Sequence, residues 1–411
     1  MRRRVIGARR FALVVPALAV ALASPVSAVE LVALPAQPEG VPWPTRDWPE
    51  GALPEGLDRV AFDRHVDELF AARGRGGFTN TRALLVVQGG RLVFERYADG
   101  FGPESRFQSW SMAKSVTNAL AGILVGQGRL DLDAKAAVPQ WREAGDARGA
   151  ITLRHLLQMR SGLANDDGFG SKDLVTAFVS RILFGEGSRS PAAFASAVPL
   201  VHPVGERWAY STGTSTLVAA LCGRVIGGSA LETMAFMRAQ LFDPIGMRSA
   251  QPEFAASGEF VGGAFVHATA RDWARFGYLY LRDGVWDGTR ILPEGWVDFS
   301  RTPNPARNNR VHGAHFWVNE DPAPGANAPG ETSAEPSESQ WRVLPGAPRS
   351  AFAAEGASFQ MVAVVPSIDV VAVRLGELEG EEFPAAKEPF GALIGTLAAR
   401  GSDALADRGE R

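Results

Sequence analysis

The sequence of 411 residues contains a single cysteine, Cys222, so it can form no intrachain disulfide and no cysteine metal cluster. Cys222 lies inside the apolar run 217–225, which predicts a buried, unreactive thiol. Lysine is scarce too, because only four of the 42 basic residues are lysines. The formal net charge is -3, so the chain has no excess positive charge to hold a polyanion, and nucleic-acid binding is not expected.

Long apolar runs are also lacking, except near the amino terminus. Five arginines within the first ten residues precede the apolar run 11–23, and residues 26–28 (Val-Ser-Ala) suit a signal peptidase. An uncleaved anchor is the alternative, but the run is shorter than the roughly 20 residues that a spanning helix needs. We therefore expect a signal peptide over residues 1–28, cleavage near Ala28, export to the periplasm or beyond, and no stable membrane insertion afterwards.

Helical and strand patterns follow in a definite order. The composition, 46% apolar and 21% charged, predicts a globular chain. Apolar residues at helical spacing predict helices, and glycine or proline turns between short apolar runs predict β-hairpins. The predicted segments are a proline-rich lead-in over 29–56, a helix over 57–72, a hairpin over 83–97, a helix over 112–127, a helical block over about 130–300, a surface loop over 321–348, a hairpin over 360–375, a helix over 384–399 and a tail over 401–411.

Strands near both ends of the chain can share one sheet. The sequence therefore predicts a single α/β (α+β) domain over residues 57–400, with an antiparallel sheet flanked by the terminal helices. The block at about 130–300 would be a helical subdomain inserted into it. Catalytic groups are expected where the two parts meet.

The pattern Ser111-Met-Ala-Lys114 opens the helix predicted over 112–127. Side chains at i and i+3 share a helix face about 5–6 Å apart at Cβ, so the amine can take the proton of the hydroxyl directly. This needs burial that lowers the pKa of the amine from about 10.4. Arginine, otherwise so common in this chain, would stay protonated, which explains a lysine at this position.

Tyr210 lies between a Pro/Gly turn and the apolar run 217–225. Such a position can present a phenol to a cleft. The alternative is a packing tyrosine whose hydroxyl faces solvent.

An ordered set of motifs resembles the serine β-lactamase-like hydrolases, a superfamily that spans class C β-lactamases, D-Ala-D-Ala peptidases, carboxylesterases and aminohexanoate-dimer hydrolases. The resemblance covers roughly residues 58–400 and is closest to the aminohexanoate-dimer hydrolase and esterase branch. Its motifs are Ser111-x-x-Lys114 with Trp110 and Ser115, the segments 128–133 and 151–162, Tyr210-Ser-Thr212, and the segment 269–277.

The resemblance implies a fold of the β-lactamase and DD-peptidase type and three catalytic residues. Ser111 would be the nucleophile, Lys114 its base and Tyr210 the proton relay to the leaving group. The oxyanion hole would use the backbone N–H groups of Ser111 and Ala357. The candidate pocket residues are Trp110, Asp167, Phe169, Thr212, Phe265 and Gly356.

Two departures from the family pattern bear on the substrate. The segment 353–360 lacks the cationic anchor that the family normally places there, and Thr212 replaces the asparagine of the Tyr-x-Asn motif of β-lactamases. Both disfavour β-lactam turnover.

Metal and cofactor chemistry are not expected. The pair His312 and His315 has no third ligand nearby, so surface histidines are the favoured interpretation. The absence of Gly-x-Ser-x-Gly argues against an α/β-hydrolase.

We therefore expect an exported serine hydrolase that cleaves a small ester or amide through an acyl-serine, without cofactor. A β-lactamase or D-Ala-D-Ala peptidase is one alternative, and a catalytically silent binding protein with this fold is the other. The oligomeric state stays open.

Overall fold

Strands from the two ends of the chain lie side by side in one sheet, as the sequence predicted. The computed structural model describes residues 31–71, 81–167, 176–306, 308–321, 342–378 and 383–398. In its main sheet six strands follow the order β2-β1-β11-β10-β9-β8, and every neighbouring pair is antiparallel. The strands of the chain are β1 (Thr81–Gln88), β2 (Arg91–Tyr97), β3 (Arg106–Gln108), β4 (Gln251–Pro252), β5 (Val266–Thr269), β6 (Val285–Trp286), β7 (Thr289–Arg290), β8 (Trp317–Val318), β9 (Phe352–Gly356), β10 (Gln360–Val365) and β11 (Val370–Gly376).

Ten α-helices lie in the described ranges of the chain. They are α1 (Arg59–Ala71), α2 (Ala113–Gly126), α3 (Leu153–Leu157), α4 (Phe178–Phe184), α5 (Pro191–Ala197), α6 (Thr212–Ile226), α7 (Ala230–Met237), α8 (Ala270–Leu281), α9 (Trp296–Arg301) and α10 (Phe383–Thr396). The helices and hairpins predicted at both ends of the chain are confirmed, with bounds that move by a few residues. The block 130–300 carries α3 to α9 and also short strands, of which β4 and β5 form a second sheet with β3.

Both faces of the main sheet are covered, so its central strands are apolar without alternation. On β1, Leu84 and Val86 face the terminal helices α1 and α10, whereas Leu85 and Val87 face the core around α2 and α8. Helix α8 lies close to the sheet at Gly277, where an added Cβ would come within 2.7 Å of Val362 and Val371 side-chain atoms. The sheet is thus the middle layer of three.

Helix α2 is buried from Ala113 to Leu124 on every side. Its polar side chains are satisfied inside the protein: Asn118 accepts hydrogen bonds from Tyr280 at 2.7 Å and from Trp296 at 2.9 Å. A buried polar group is costly unless it is paired, so these bonds fix the helix in place. The start of this rigid helix is where the predicted nucleophile lies.

The lead-in residues 31–56 form no helix or extended strand, as their prolines predicted. Arg275 of α8 donates to the carbonyls of Pro44 and Arg46, which ties this segment to the domain. Within the described part of the chain no single helix is long and apolar enough to cross a bilayer, although the bent pair Thr212–Ile226 and Ala230–Phe242 passes by length and composition.

Candidate active site

Ser111 lies in a short 3-10 turn, Trp110–Met112, that leads directly into α2. Trp110 adopts a φ of 44°, in the left-handed region that a bulky side chain rarely occupies. Strain of this kind persists only where the surroundings enforce it, and it is common at active sites. The turn places the Ser111 hydroxyl oxygen 2.9 Å from the Nζ of Lys114, so the i, i+3 spacing brings the two groups into direct contact.

Lys114 is 2% exposed and has three oxygen neighbours. Its Nζ lies 2.9 Å from the hydroxyl oxygens of Ser111 and Thr212 and 2.7 Å from the carbonyl oxygen of Gly263. Burial lowers the pKa of Lys114, and the charge of Asp167 opposes that shift. The predicted requirement for a base near neutrality, a desolvated amine, is therefore met.

Gly263 was not singled out in the sequence, although its carbonyl is one of the acceptors of Lys114. An added Cβ at Gly263 would lie 2.7 Å from Thr212 Cγ2 and 2.8 Å from the Thr212 carbonyl oxygen. Only glycine lets this segment approach α6 so closely. Two consecutive glycines, Gly262 and Gly263, were the signal available.

Tyr210 is buried and faces the same two residues. Its hydroxyl shares a hydrogen bond with Ser111, and its ring centroid lies 4.9 Å from Lys114 Nζ. Burial raises the pKa of Tyr210, and the hydrogen bond with Ser111 only partly opposes the shift. Tyr210 therefore keeps its proton throughout the neutral range, so it can pass a proton but is not the resting base. The solvent-facing alternative is wrong, since Tyr210 is 5% exposed.

Thr212 begins α6 and connects Lys114 to Asp167. The two carboxylate oxygens of Asp167 accept hydrogen bonds at 2.7 Å, one from the Thr212 N–H and one from its hydroxyl. Asp167 is 0% exposed. Burial raises its pKa, while the Lys114 charge and the bonds from Thr212 lower it. The sequence predicted Thr212 and Asp167 as residues of the substrate pocket. In the structure Thr212 contacts Lys114, and Asp167 is buried on the far side of Thr212.

Strand β9 ends against the backbone of the nucleophile. An added Cβ at Gly356 would lie 2.2 Å from the Ser109 carbonyl oxygen and 3.0 Å from the Ser111 nitrogen. Ala357, the predicted partner of Ser111 in the oxyanion hole, follows Gly356 directly and opens the turn Ala357–Phe359. This close approach places the end of β9 beside the Ser111 N–H.

An aromatic cluster borders the nucleophile on another side. Trp110, Phe184 and Phe265 have ring centroids 5.8 to 6.4 Å apart. Trp110 and Phe265 were predicted pocket residues, but Phe184 was not, because the helix α4 that carries it has no recognisable motif. Phe184 is 65% exposed, an unusual position for a large apolar side chain.

His312 and His315 are buried, and their interpretation as surface histidines is wrong. His315 Nδ1 lies 3.0 Å from the carbonyl oxygen of Lys114 and Nε2 lies 3.0 Å from Ser215 Oγ, so the ring ties α2 to α6. His312 packs edge-on against the Tyr210 ring, with centroids 5.8 Å apart. Burial lowers the pKa of both imidazoles, so both are neutral.

Two remaining predictions concern Cys222 and Phe169. Cys222 is fully buried, and burial raises the pKa of its thiol to about 12, as expected for an unreactive cysteine. Phe169 lies outside the described residues. Among the residues that the structure describes, no group of three or more His, Cys, Asp or Glu side chains is arranged to hold a metal ion.

Sheet order, helical part and the Ser111-Lys114-Tyr210 cluster together define a fold of the β-lactamase and penicillin-binding-protein type. A solved structure of a family VIII carboxylesterase superposes with a TM-score of 0.57 at 14% identity, covering 85% of this chain and 99% of that one. The Beta-lactamase family model matches residues 62–395. The chain belongs to the beta-lactamase family.

Two curated relatives match part of the chain. A 6-aminohexanoate-dimer hydrolase of Paenarthrobacter ureafaciens is 26% identical over 226 residues, covering 54% of this chain and 57% of that protein. An uncharacterised protein of Mycobacterium tuberculosis is 28% identical over 268 residues, covering 52% of this chain and 64% of the relative. The matches thus span less than two thirds of each relative. Homologues in the beta-lactamase family, among them this dimer hydrolase, are hydrolases, which agrees with the class of enzyme that the sequence predicted.

Proposed function

We propose that this chain is a serine hydrolase that cleaves an ester or amide through an acyl intermediate on Ser111. The observation that carries the proposal is the 2.9 Å contact between Ser111 Oγ and the buried amine of Lys114. A nucleophile and its base must lie within hydrogen-bond reach, and the base needs a pKa near the working pH. The two atoms are within that reach, and burial lowers the pKa of Lys114.

In the first half of the reaction, Lys114 takes the proton of Ser111 as Oγ attacks the carbonyl carbon of the substrate. The oxyanion that forms is stabilised by the backbone N–H groups of Ser111 and Ala357. Tyr210, which is hydrogen-bonded to Ser111, passes the proton from Lys114 to the leaving oxygen or nitrogen. The bond to the leaving group breaks, and the acyl group stays on Ser111.

Water completes the reaction. It attacks the acyl carbon and gives its proton to the Lys114 and Tyr210 pair. The bond to Ser111 Oγ then breaks and the same proton returns to Oγ, so the enzyme is restored and a carboxylic acid is released.

The substrate class follows from charge around the site. Ala354, Glu355 and Gly356 occupy the end of β9, where the family normally carries a cationic anchor for a substrate carboxylate, and Thr212 stands in place of asparagine. An ester or amide without an anchored carboxylate fits better than a β-lactam. The dimer hydrolase and carboxylesterase among the similar proteins agree with this choice.

The proposal is tested with p-nitrophenyl butyrate and a fluorophosphonate probe. We expect the wild type to turn over the ester and to carry the probe on Ser111, and Ser111→Ala to lose both. Ser257→Ala, at an exposed position, is the matched control and should keep both. Full activity of Ser111→Ala would overturn the proposal; no labelling at all would favour the silent binding protein, and rapid nitrocefin turnover the β-lactamase.

Export is a separate proposal, supported by the arginine-rich start and the apolar run 11–23. Cleavage near Ala28 would place the hydrolase in the periplasm or outside the cell. Amino-terminal sequencing of the protein recovered from the periplasm should begin at residue 29; recovery of the uncleaved chain with the membranes would contradict this.

A further inference from the structure

Asp167 is held rigidly beside the start of α6. Its own N–H donates to the Tyr210 carbonyl at 3.0 Å, and its carboxylate receives the N–H and the hydroxyl of Thr212 at 2.7 Å each. A negative charge at the start of a helix is favoured by the unpaired N–H groups there, which offsets part of the cost of burial. Nothing in the proposed reaction steps uses this buried carboxylate.

The carboxylate of Asp167 fixes the direction of the hydrogen bonds that Thr212 and Lys114 make. A carboxylate only accepts, so the Thr212 hydroxyl must donate its one hydrogen to Asp167. The hydroxyl oxygen then has only lone pairs left for Lys114, which must donate an N–H to it. The Gly263 carbonyl also only accepts, so it takes a second N–H of Lys114.

A neutral amine has two N–H groups and one lone pair. With both hydrogens directed at Thr212 and Gly263, the lone pair of Lys114 is left for its third hydrogen-bond partner, Ser111 Oγ at 2.9 Å. The amine can then only accept the Ser111 hydrogen, which is the arrangement that general-base catalysis requires.

We propose that Asp167, acting through the Thr212 hydroxyl, directs the lone pair of Lys114 at Ser111 and is a positioning residue of the hydrolase. The inference rests on the proposed function, because it assigns Lys114 the role of base.

Asp167→Asn should reverse this order. The Thr212 N–H must still face the amide oxygen, so the amide NH2 faces the Thr212 hydroxyl and donates to it. The hydroxyl hydrogen is then free to point at the Lys114 lone pair, and Lys114 donates to Ser111 instead. Asp167→Asn therefore keeps almost the same side-chain shape but reverses the direction of the hydrogen bonds that lead to Ser111.

Several charged or titratable groups face Asp167 and Lys114. Tyr210 keeps its proton and the two histidines are neutral, whereas burial raises the pKa of Glu355 as it does that of Asp167. The groups are Asp166 and Tyr210 beside Asp167, His312 and His315 beside Lys114, and Glu355 beside Tyr210.

The test measures kcat and KM for p-nitrophenyl butyrate against pH. We expect Asp167→Asn to lower the plateau of kcat roughly 100-fold with little change in KM, since general-base catalysis is lost and binding is not. Loss of the negative charge also lowers the pKa of Lys114, so the rising limb of the pH profile should move down by roughly one unit. A residue that only stabilised the fold would not move that limb.

The matched pair at Thr212 provides a second, independent test. Thr212→Val keeps the shape without the hydroxyl and should lose kcat as Asp167→Asn does. Thr212→Ser restores the hydroxyl and should recover most of that loss relative to Thr212→Val. Circular dichroism and Tm confirm that each variant is folded. If Asp167→Asn does not fold, the Thr212 pair alone decides.

The outcomes separate the two proposals. The positioning role would be overturned if Asp167→Asn kept the wild-type kcat and an unmoved limb of the pH profile. It would also be overturned if the two Thr212 variants lost equal kcat. In both cases Ser111→Ala would still be inactive. Activity that survives Ser111→Ala would overturn the serine mechanism itself.

Discussion

The amine of Lys114 and the hydroxyl of Ser111 lie 2.9 Å apart on successive turns at the start of a helix that is buried on all sides. Lys114 is only 2% exposed, and the backbone next to Ser111 is strained at Trp110. Because α2 is fixed by its buried hydrogen bonds, the geometry exists before any substrate binds. Such preorganisation is what makes electrostatic and proton-transfer catalysis effective.

Lys114→Arg should abolish acylation although it preserves the charge. A guanidinium stays protonated at any working pH, so it cannot take the Ser111 proton. We expect kcat for p-nitrophenyl butyrate to fall by roughly 10²–10⁴, the usual contribution of a general base. Lys135→Arg, at an exposed lysine, is the control and should be silent. Equal activity of the two variants would remove Lys114 from the mechanism.

Activity should rise with pH through a limb that lies below the ordinary lysine pKa of 10.5. Lys114 must be neutral to act, and burial lowers its pKa, so the active fraction increases as pH rises through that lowered value. Tyr210 should add no falling limb in the neutral range, because burial raises its pKa. A profile of kcat/KM against pH checks this; a limb near 10.5 would show that Lys114 is solvated.

The sequence predicted the sheet, the terminal helices and the Ser111 and Lys114 pair because each has a local signal, whereas Tyr210 was joined to them only by the resemblance of the ordered motifs. The hydrophobic period, the turn residues and the i, i+3 spacing can each be recognised within a few neighbouring positions. The connection from Lys114 to Asp167 has no such signal, since it depends on where α6 begins relative to a distant loop. The burial of His315 was missed for the same reason: its partners are 201 and 100 residues away along the chain.

Gly356→Ala should separate the end of β9 from the nucleophile. The added Cβ would come within 2.2 Å of the Ser109 carbonyl oxygen and 3.0 Å of the Ser111 nitrogen, so the backbone must shift. Loss of one oxyanion contact costs roughly 10²–10³ in kcat, and we expect a fall of that size with little change in KM. Gly102→Ala, where an added Cβ meets nothing within 4 Å, is the matched control. A silent Gly356→Ala would place the oxyanion hole elsewhere.

Phe184→Ser should weaken the use of long apolar substrates. Phe184 completes the cluster with Trp110 and Phe265 beside Ser111, yet it is 65% exposed, so its loss should leave Tm nearly unchanged. Each buried CH2 contributes about 0.8 kcal/mol, so kcat/KM for octanoate esters should fall several-fold more than for acetate esters. Leu231→Ser, at another exposed apolar residue on α7, should change neither. Equal losses for both chain lengths would exclude an acyl-binding role.

His312→Phe should make the folded state less sensitive to acid. Burial lowers the pKa of His312 to about 3, whereas the unfolded value is 6.5. Below pH 6.5 the unfolded chain therefore binds a proton that the folded chain does not bind, and the free energy of unfolding falls by up to about 1.4 kcal/mol per pH unit for this one group.

Phenylalanine keeps the edge-on packing against Tyr210 and does not titrate. Urea unfolding at pH 7.5 and 4.5 should show that the wild type loses roughly 2.7 kcal/mol more than the variant over this interval. His315 contributes in the same direction in both proteins, so it cancels in the comparison. Identical losses in the two proteins would mean that His312 is protonated inside the fold.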